Sequence, residues 1–223
     1  MIQEIIAPNL FREPFLSKQL RIIKLLVESG FDLNDTTYIA EITPLEASIS
    51  SGASVKLIEY LLSLGADPNL CSIGNCPLYL AAEQGNLPII KTLLRVGVSL
   101  ESNLSGETPL INAASSGQMS VVDFLVKIGA NVNALTEYGQ TALLRAAENG
   151  HEEIVNYLLP LTSDLNHHLL ARKFLPEGIH RRKEREQQEL LQREIEIDIY
   201  KQRLKYGNKY HLKLVSKEGT THD

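Results

Sequence analysis

Glycine recurs along this 223-residue chain at an almost constant interval. Gly52, Gly85, Gly117 and Gly150 are 33, 32 and 33 positions apart, and Gly30, Gly65, Gly97 and Gly129 are 35, 32 and 32 apart. A period of this length marks copies of one supersecondary unit, each too small to bury its apolar face without a neighbour. Function is therefore expected on the exposed edge of a stack.

Within each period the same order of residue types returns. Units open with Thr43-Pro44-Leu45, Cys76-Pro77-Leu78, Thr108-Pro109-Leu110 and Thr141-Ala142-Leu143. A Thr hydroxyl can accept from an orphan N–H at a helix start, and Pro at the first helical position lacks a donor that would go unpaired there anyway. Small pairs follow, Ala81-Ala82, Ala113-Ala114 and Ala146-Ala147, which allow a neighbouring helix to approach closely. The repeated glycine then ends this short helix, in a left-handed cap that costs least without a Cβ.

A second helix carries the most regular pattern in the chain. Ile22/Ile23 with Leu26/Val27, Leu57/Ile58 with Leu61/Leu62, Ile89/Ile90 with Leu93/Leu94, Val121/Val122 with Leu125/Val126, and Ile154/Val155 with Leu158/Leu159 all sit at i, i+1, i+4, i+5. This is a broad helical stripe. Each fully buried member contributes roughly 1.5–3 kcal/mol, more than the propensity cost of its β-branched residues, once a neighbour covers it. These residues are read as core.

The run from Thr108-Pro109-Leu110 through Ala113-Ala114, Gly117, Val121-Val122 and Leu125 to Gly129-Ala130-Asn131-Val132-Asn133 resembles an ankyrin repeat. A close copy runs from Thr141 through Gly150-His151 to Leu159, and Gly65-Ala66-Asp67-Pro68-Asn69 repeats the closing phrase. The resemblance spans about residues 18 to 166. It implies an all-α ankyrin-repeat solenoid of helix-turn-helix pairs with projecting β-turn fingers, a non-catalytic module that binds other proteins.

Several positions depart from the family pattern. The His usual in the turn motif is replaced by Glu46, Tyr79, Ile111 and Leu144, so its hydrogen bonds between turns must be replaced or absent. One extra residue between Gly52 and Gly65 predicts a longer turn or bulge. Pro8 and Pro14 interrupt the opening segment, which reads as a degenerate cap or partial repeat over 1–34, with the repeats proper over 35–166. Pro160 should stop the last outer helix early.

Carrying the family's variable positions across by register assigns partner binding to the finger tips and the inner face of the first helix. One unit supplies Ile73, Asn75, Glu83 and Gln84, the next Leu104, Glu107, Ser115 and Ser116, and the last Leu135, Glu137, Tyr138, Gln140, Glu148 and Asn149. Tyr138 stands out, because exposed aromatics commonly anchor interfaces.

Charge narrows the partner. Residues 1–171 carry 9 Lys/Arg against 18 Asp/Glu, and residues 172–223 carry 13 against 9, so an acidic body precedes a mildly basic tail. The body suits a protein with a basic surface and argues against gripping phosphate backbones. No apolar run approaches a membrane span and the N-terminus lacks a secretory pattern, so a cytoplasmic monomer is expected, unless the tail self-associates. Cys71 and Cys76, the only cysteines, are too few to staple a chain of this size and require no oxidising compartment.

Chemistry finds no foothold in the sequence. His151-Glu152-Glu153 opens like a zinc-protease helix, but Val155 stands where the second His belongs. Cys71 and Cys76 lack a second Cys/His pair nearby, and neither a phosphate loop nor a nucleophile elbow is present. No enzyme activity, cofactor or metal is expected.

The C-terminal region is expected to begin with a capping helix over 167–178, its apolar side formed by Leu165, Leu169, Leu170 and Phe174. Pro176-Glu177-Gly178 should break it. A charged tail over 179–223 follows, read as a helix on its helix formers and on the seven-residue spacing of Leu190, Ile197 and Leu204. The alternation of Ile195, Ile197 and Ile199, then of Tyr210, Leu212 and Leu214, keeps a hairpin open, and the end reads as disordered. Arg181-Arg182-Lys183 supports an alternative function, a regulatory subunit or a nucleic-acid or anionic-surface binder acting through this tail.

Overall fold

The short helices start where side-chain chemistry prepares them. In a computed structural model that describes residues 16–36, 42–72, 76–101 and 106–206, all elements among the described residues are helical. Thr43, Thr108 and Thr141 take extended backbone, and each hydroxyl accepts from the N–H three residues on, at Glu46, Ile111 and Leu144. Four seven-residue helices follow the unit starts: α2 (Pro44–Ser50), α4 (Pro77–Glu83), α6 (Pro109–Ser115) and α8 (Ala142–Glu148). They pack in sequence, α2 on α4, α4 on α6 and α6 on α8. Ala81, Ala82, Ala113, Ala114, Ala146 and Ala147 are fully buried along this row, as close approach requires.

The apolar stripe builds the second row. It comprises α1 (Leu16–Glu28), α3 (Val55–Ser63), α5 (Leu87–Arg95), α7 (Met119–Lys127) and α9 (Glu152–Leu158). From α3 to α9 the i, i+1 and i+4 members are buried, while the i+5 members Leu62, Leu94, Val126 and Leu159 are half-buried at the edge. The extra residue of the first unit lies in the turn, since α3 starts three residues after Gly52 whereas α5 and α7 start two after their glycines. Pro160 does shorten α9, which passes into a 3₁₀ turn at Leu159–Leu161. The backbone repeats with the sequence: Gly52, Gly85, Gly117 and Gly150 have φ of 73, 74, 75 and 74°.

The missing turn-motif histidines are replaced by other polar links. Glu46 is fully buried, and its carboxylate accepts from the Thr43 N–H (2.7 Å), the Thr43 hydroxyl (2.9 Å), the Ser72 N–H (2.9 Å) and the Ser72 hydroxyl. Four donors offset the cost of taking a carboxylate out of water, and they tie the first unit to the finger of the second. Further along, Asn112 Nδ2 donates to the Tyr79 carbonyl (3.1 Å) and Gln118 Nε2 to the Glu83 carbonyl (2.9 Å). His151, 33 positions after Gln118, places Nε2 3.0 Å from the Ser115 carbonyl, which calls for the proton on that nitrogen.

The last helix corrects two expectations. α10 (Leu165–Tyr206) runs through Pro176 without ending. Leu165 and Leu169 are 74% and 67% exposed; the face that meets the repeats is Ala171, fully buried, with Phe174 and Leu175 packed against the core. Gly178 is needed for contact, because a Cβ there would stand 2.1 Å from the Ala147 carbonyl oxygen and 2.6 Å from the Gly150 nitrogen. His167 and His168 serve the start of the helix: His168 Nε2 lies 2.8 Å from the Thr162 hydroxyl, and His167 Nδ1 3.3 Å from Asp164.

The chain divides into two units, residues 1–179 and 180–223. The described part of the second is the remainder of α10, where Leu190, Leu191, Ile195 and Ile197 are exposed and His180–Glu184 and Arg182–Glu186 pair at i, i+4. Tyr210, Leu212 and Leu214 of the hairpin alternative, and residues 1–15, lie outside the described residues.

Glu46→Ala strands the buried donors of Thr43 and Ser72 and is expected to cost roughly 3 kcal/mol, read by urea unfolding. Gly178→Ala is expected to lift α10 from the last repeat, costing about 1–3 kcal/mol and accelerating amide exchange at Ala171–Leu175.

Candidate functional site

The last finger is organised by Thr136. Its N–H donates to the Gln140 carbonyl (3.0 Å), its carbonyl accepts from the Gly139 N–H (2.9 Å), and its hydroxyl accepts from the N–H groups of Tyr138 and Gln140, both at 3.2 Å. With Thr136 buried at the base, the tip turns outward. Tyr138 is 86% and Leu135 52% exposed, and Glu137 between them is exposed too. The result is an apolar and acidic tip held by a hydrogen-bonded turn, of the kind that loses little entropy on binding.

Behind the tip lies the inner helix row. Glu107 Oε1 accepts from Arg145 Nη2 at 3.0 Å, linking two units, while Glu107 Oε2 and Arg145 Nε are buried without a hydrogen-bond partner. Tyr79 is half-buried, and its phenol is pushed above the ordinary range, first by burial and then by the carboxylates of Glu107 and Glu83; Arg145 opposes the shift. Gln140 Nε2 reaches both carboxylate oxygens of Glu148 (2.8 and 3.0 Å) and so fastens the finger to α8. Asn149 Nδ2 donates to the Ser115 hydroxyl (3.1 Å) and to the Arg145 carbonyl (3.0 Å).

The sequence-derived residues therefore divide into groups. Leu135, Glu137 and Tyr138 come together at one tip, and Glu83 is exposed at the end of α4. The half-buried Glu107, Ser115, Gln140, Glu148 and Asn149 make hydrogen bonds within the stack, and Gln84, though exposed, donates to the Ser50 carbonyl (3.1 Å). Gln84, Glu107, Ser115 and Asn149 bond to neighbouring units, as polar links between turns. Ser116 closes α6 and is half-buried. Ile73, Asn75 and Leu104 lie outside the described residues. Sequence reasoning missed Tyr79 and Arg145 as parts of this face; the signal for Tyr79 was its place at a departed histidine position.

Among the described residues there is no group of three His, Cys, Asp or Glu side chains placed to hold a metal ion, and no helix long and apolar enough to cross a membrane. The model for ankyrin repeats in three copies matches residues 15–103 and again 78–168. The chain belongs to the ankyrin-repeat family. Ankyrin repeats are in general protein–protein interaction modules, and the family is in general non-catalytic.

Curated relatives match over about one repeat pair. Alpha-latroinsectotoxin-Lt1a of Latrodectus tredecimguttatus is 36% identical over 73 residues, covering 33% of this chain and 5% of the toxin. Alpha-latrocrustotoxin-Lt1a of the same spider is 34% identical over 75 residues, covering 34% and 5%. Ankyrin repeat protein L271 of Acanthamoeba polyphaga mimivirus is 37% identical over 73 residues, covering 32% and 10%. The match thus spans a tenth or less of each relative's length.

Because burial and two carboxylates hold the Tyr79 phenol neutral, its contribution to stability is present below the unfolded tyrosine value near pH 10 and is lost as pH rises through the higher folded value. Glu107→Gln is expected to bring this ionisation down towards pH 10. The check is ultraviolet titration against a Tyr79→Phe control, which removes one late-ionising component and leaves that of Tyr157, itself pushed up by burial and by Asp123.

Proposed function

We propose that this ankyrin-repeat chain is a cytoplasmic, non-catalytic module that captures a protein with a basic surface, through the finger tips and the acidic inner face. The observation that carries the reading is the last finger, where Leu135, Glu137 and Tyr138 project from a turn pinned by buried Thr136. Tyr138 supplies rigid amphipathic area, Leu135 supplies apolar area, and Glu137 with Glu83 supplies the charge that orients a basic partner. The half-buried Tyr79 and the Glu107–Arg145 pair extend the face inward.

The rival is capture through the basic tail. Its cationic cluster is diluted on α10 by Glu184 and Glu186, which pair with His180 and Arg182 one turn away. That pairing leaves a mixed-charge helix surface and favours the ridge over the tail as the primary contact.

The test is affinity capture by the full chain with identification by mass spectrometry, repeated with Leu135→Ala/Glu137→Ala/Tyr138→Ala and with residues 180–223 deleted. The ridge reading expects the triple variant to lose the partner by at least tenfold with an unchanged melting temperature, and tail deletion to retain it. The opposite pattern, retention by the triple variant and loss on tail deletion, overturns it.

A further inference from the structure

The second unit departs from its neighbours at one point. Where Thr43, Thr108 and Thr141 cap their helices through a hydroxyl, Cys76 precedes α4 in the same extended conformation, φ −112° and ψ 146°, and makes no side-chain cap bond. Its sulfur is instead bonded to Cys71, five residues back. Thr136 and Thr141 bracket the last finger with the same separation, and that finger is closed by hydrogen bonds to Thr136 alone. The corresponding pair of the second unit is joined covalently.

We infer that Cys71 and Cys76 form a reversible thiol–disulfide exchange site whose substrates are dithiol reductants and disulfide oxidants, and whose state sets the stability of α4 within the stack. Access fits this assignment. Cys76 is 2% exposed and Cys71 is half-exposed, so Cys71 Sγ is the atom that meets an incoming thiolate. A thiolate of the reductant attacks Cys71 Sγ, the Cys71–Cys76 bond breaks, and Cys76 leaves as a thiolate that takes up a proton. The reductant's second thiolate then attacks its own sulfur in the mixed disulfide and expels Cys71, which is protonated in turn. Two electrons and two protons pass to the pair, and the reductant leaves as a disulfide. A disulfide oxidant runs the exchange in reverse.

The consequence follows from what the bond joins. Ser72, beside Cys71, is gripped by buried Glu46 of the first unit, while Cys76 begins α4, which packs between α2 and α6. The disulfide fastens these two anchors together. α4 has no side-chain cap with the bond closed, and a thiol, a weak acceptor, supplies little of one when it is cut, so reduction removes the tie without compensation. A stack coupled only through nearest neighbours is then loosened between its first unit and the rest. In the cytoplasmic location proposed above, on which this rests, structural disulfides are rare and redox-responsive ones are the usual kind, so such a pair switches rather than staples.

The experiment compares the full chain after oxidised glutathione and after dithiothreitol. Titration with a thiol reagent is expected to find no reactive thiol in the first state and two in the second. Melting temperature should fall by about 5 °C on reduction, with amide exchange at Leu78–Ala82 accelerated and α8 unchanged. Cys71→Ser/Cys76→Thr restores a hydroxyl cap and should melt at one temperature with or without reductant. Two thiols still reactive after oxidised glutathione, a pair that dithiothreitol leaves closed, or identical melting and exchange in the two states would overturn the inference.

Discussion

Coverage of one unit's apolar face by the next is the interaction on which the rest of this structure depends. The stripe residues of α3, α5, α7 and α9 are buried only because another helix pair lies beside them, and the fully buried alanines of the inner row leave room for nothing larger. Large aliphatic residues on the outer row and small ones on the inner row are two halves of one packing solution. The same logic requires an end to the stack. α10 provides it through Ala171, Phe174, Leu175 and Gly178, a face that is small and flat where α8 and Gly150 approach.

Apolar coverage fixes that units stack but leaves their register loosely specified; buried polar bonds do that part. Glu46 joins the first unit to Ser72, and Asn112, Gln118 and His151 each reach about one period back to a carbonyl. These bonds explain why the family histidine can be absent from every turn. They also occupy much of the inner face, where Glu107, Gln140, Glu148 and Asn149 bond to the stack, while Leu135 and Tyr138 stay exposed at the last tip.

What was legible in the sequence was whatever depends on local periodicity. The positions of the helices, the buried stripe, the Thr caps, the extra residue after Gly52 and the early stop at Pro160 all follow from spacing and residue type, and the structure repeats them. What depends on a partner about 30 or more residues away was not legible. Leu165 and Leu169 are apolar enough to be taken for the cap, yet the contact is decided by how closely two backbones meet at Gly150, which favours Gly178 and Ala171 over bulk. Pro176 reads as a helix end because local sequence does not show that the helix continues through it. In the same way Glu107 and Arg145, 38 positions apart, look like independent surface charges until the stack brings them to 3.0 Å.

Nearest-neighbour coupling also determines where a local change has long reach. A loss at either end frays one unit, whereas a loss at α4 weakens two interfaces at once, because α4 contacts both α2 and α6. That is the helix whose N-cap residue lacks a hydroxyl bond and is tied through its sulfur to Cys71. Units capped by Thr hold their helix start whatever the redox state. The exchange inferred at Cys71–Cys76 would act at this interior position, between the first unit and the later ones.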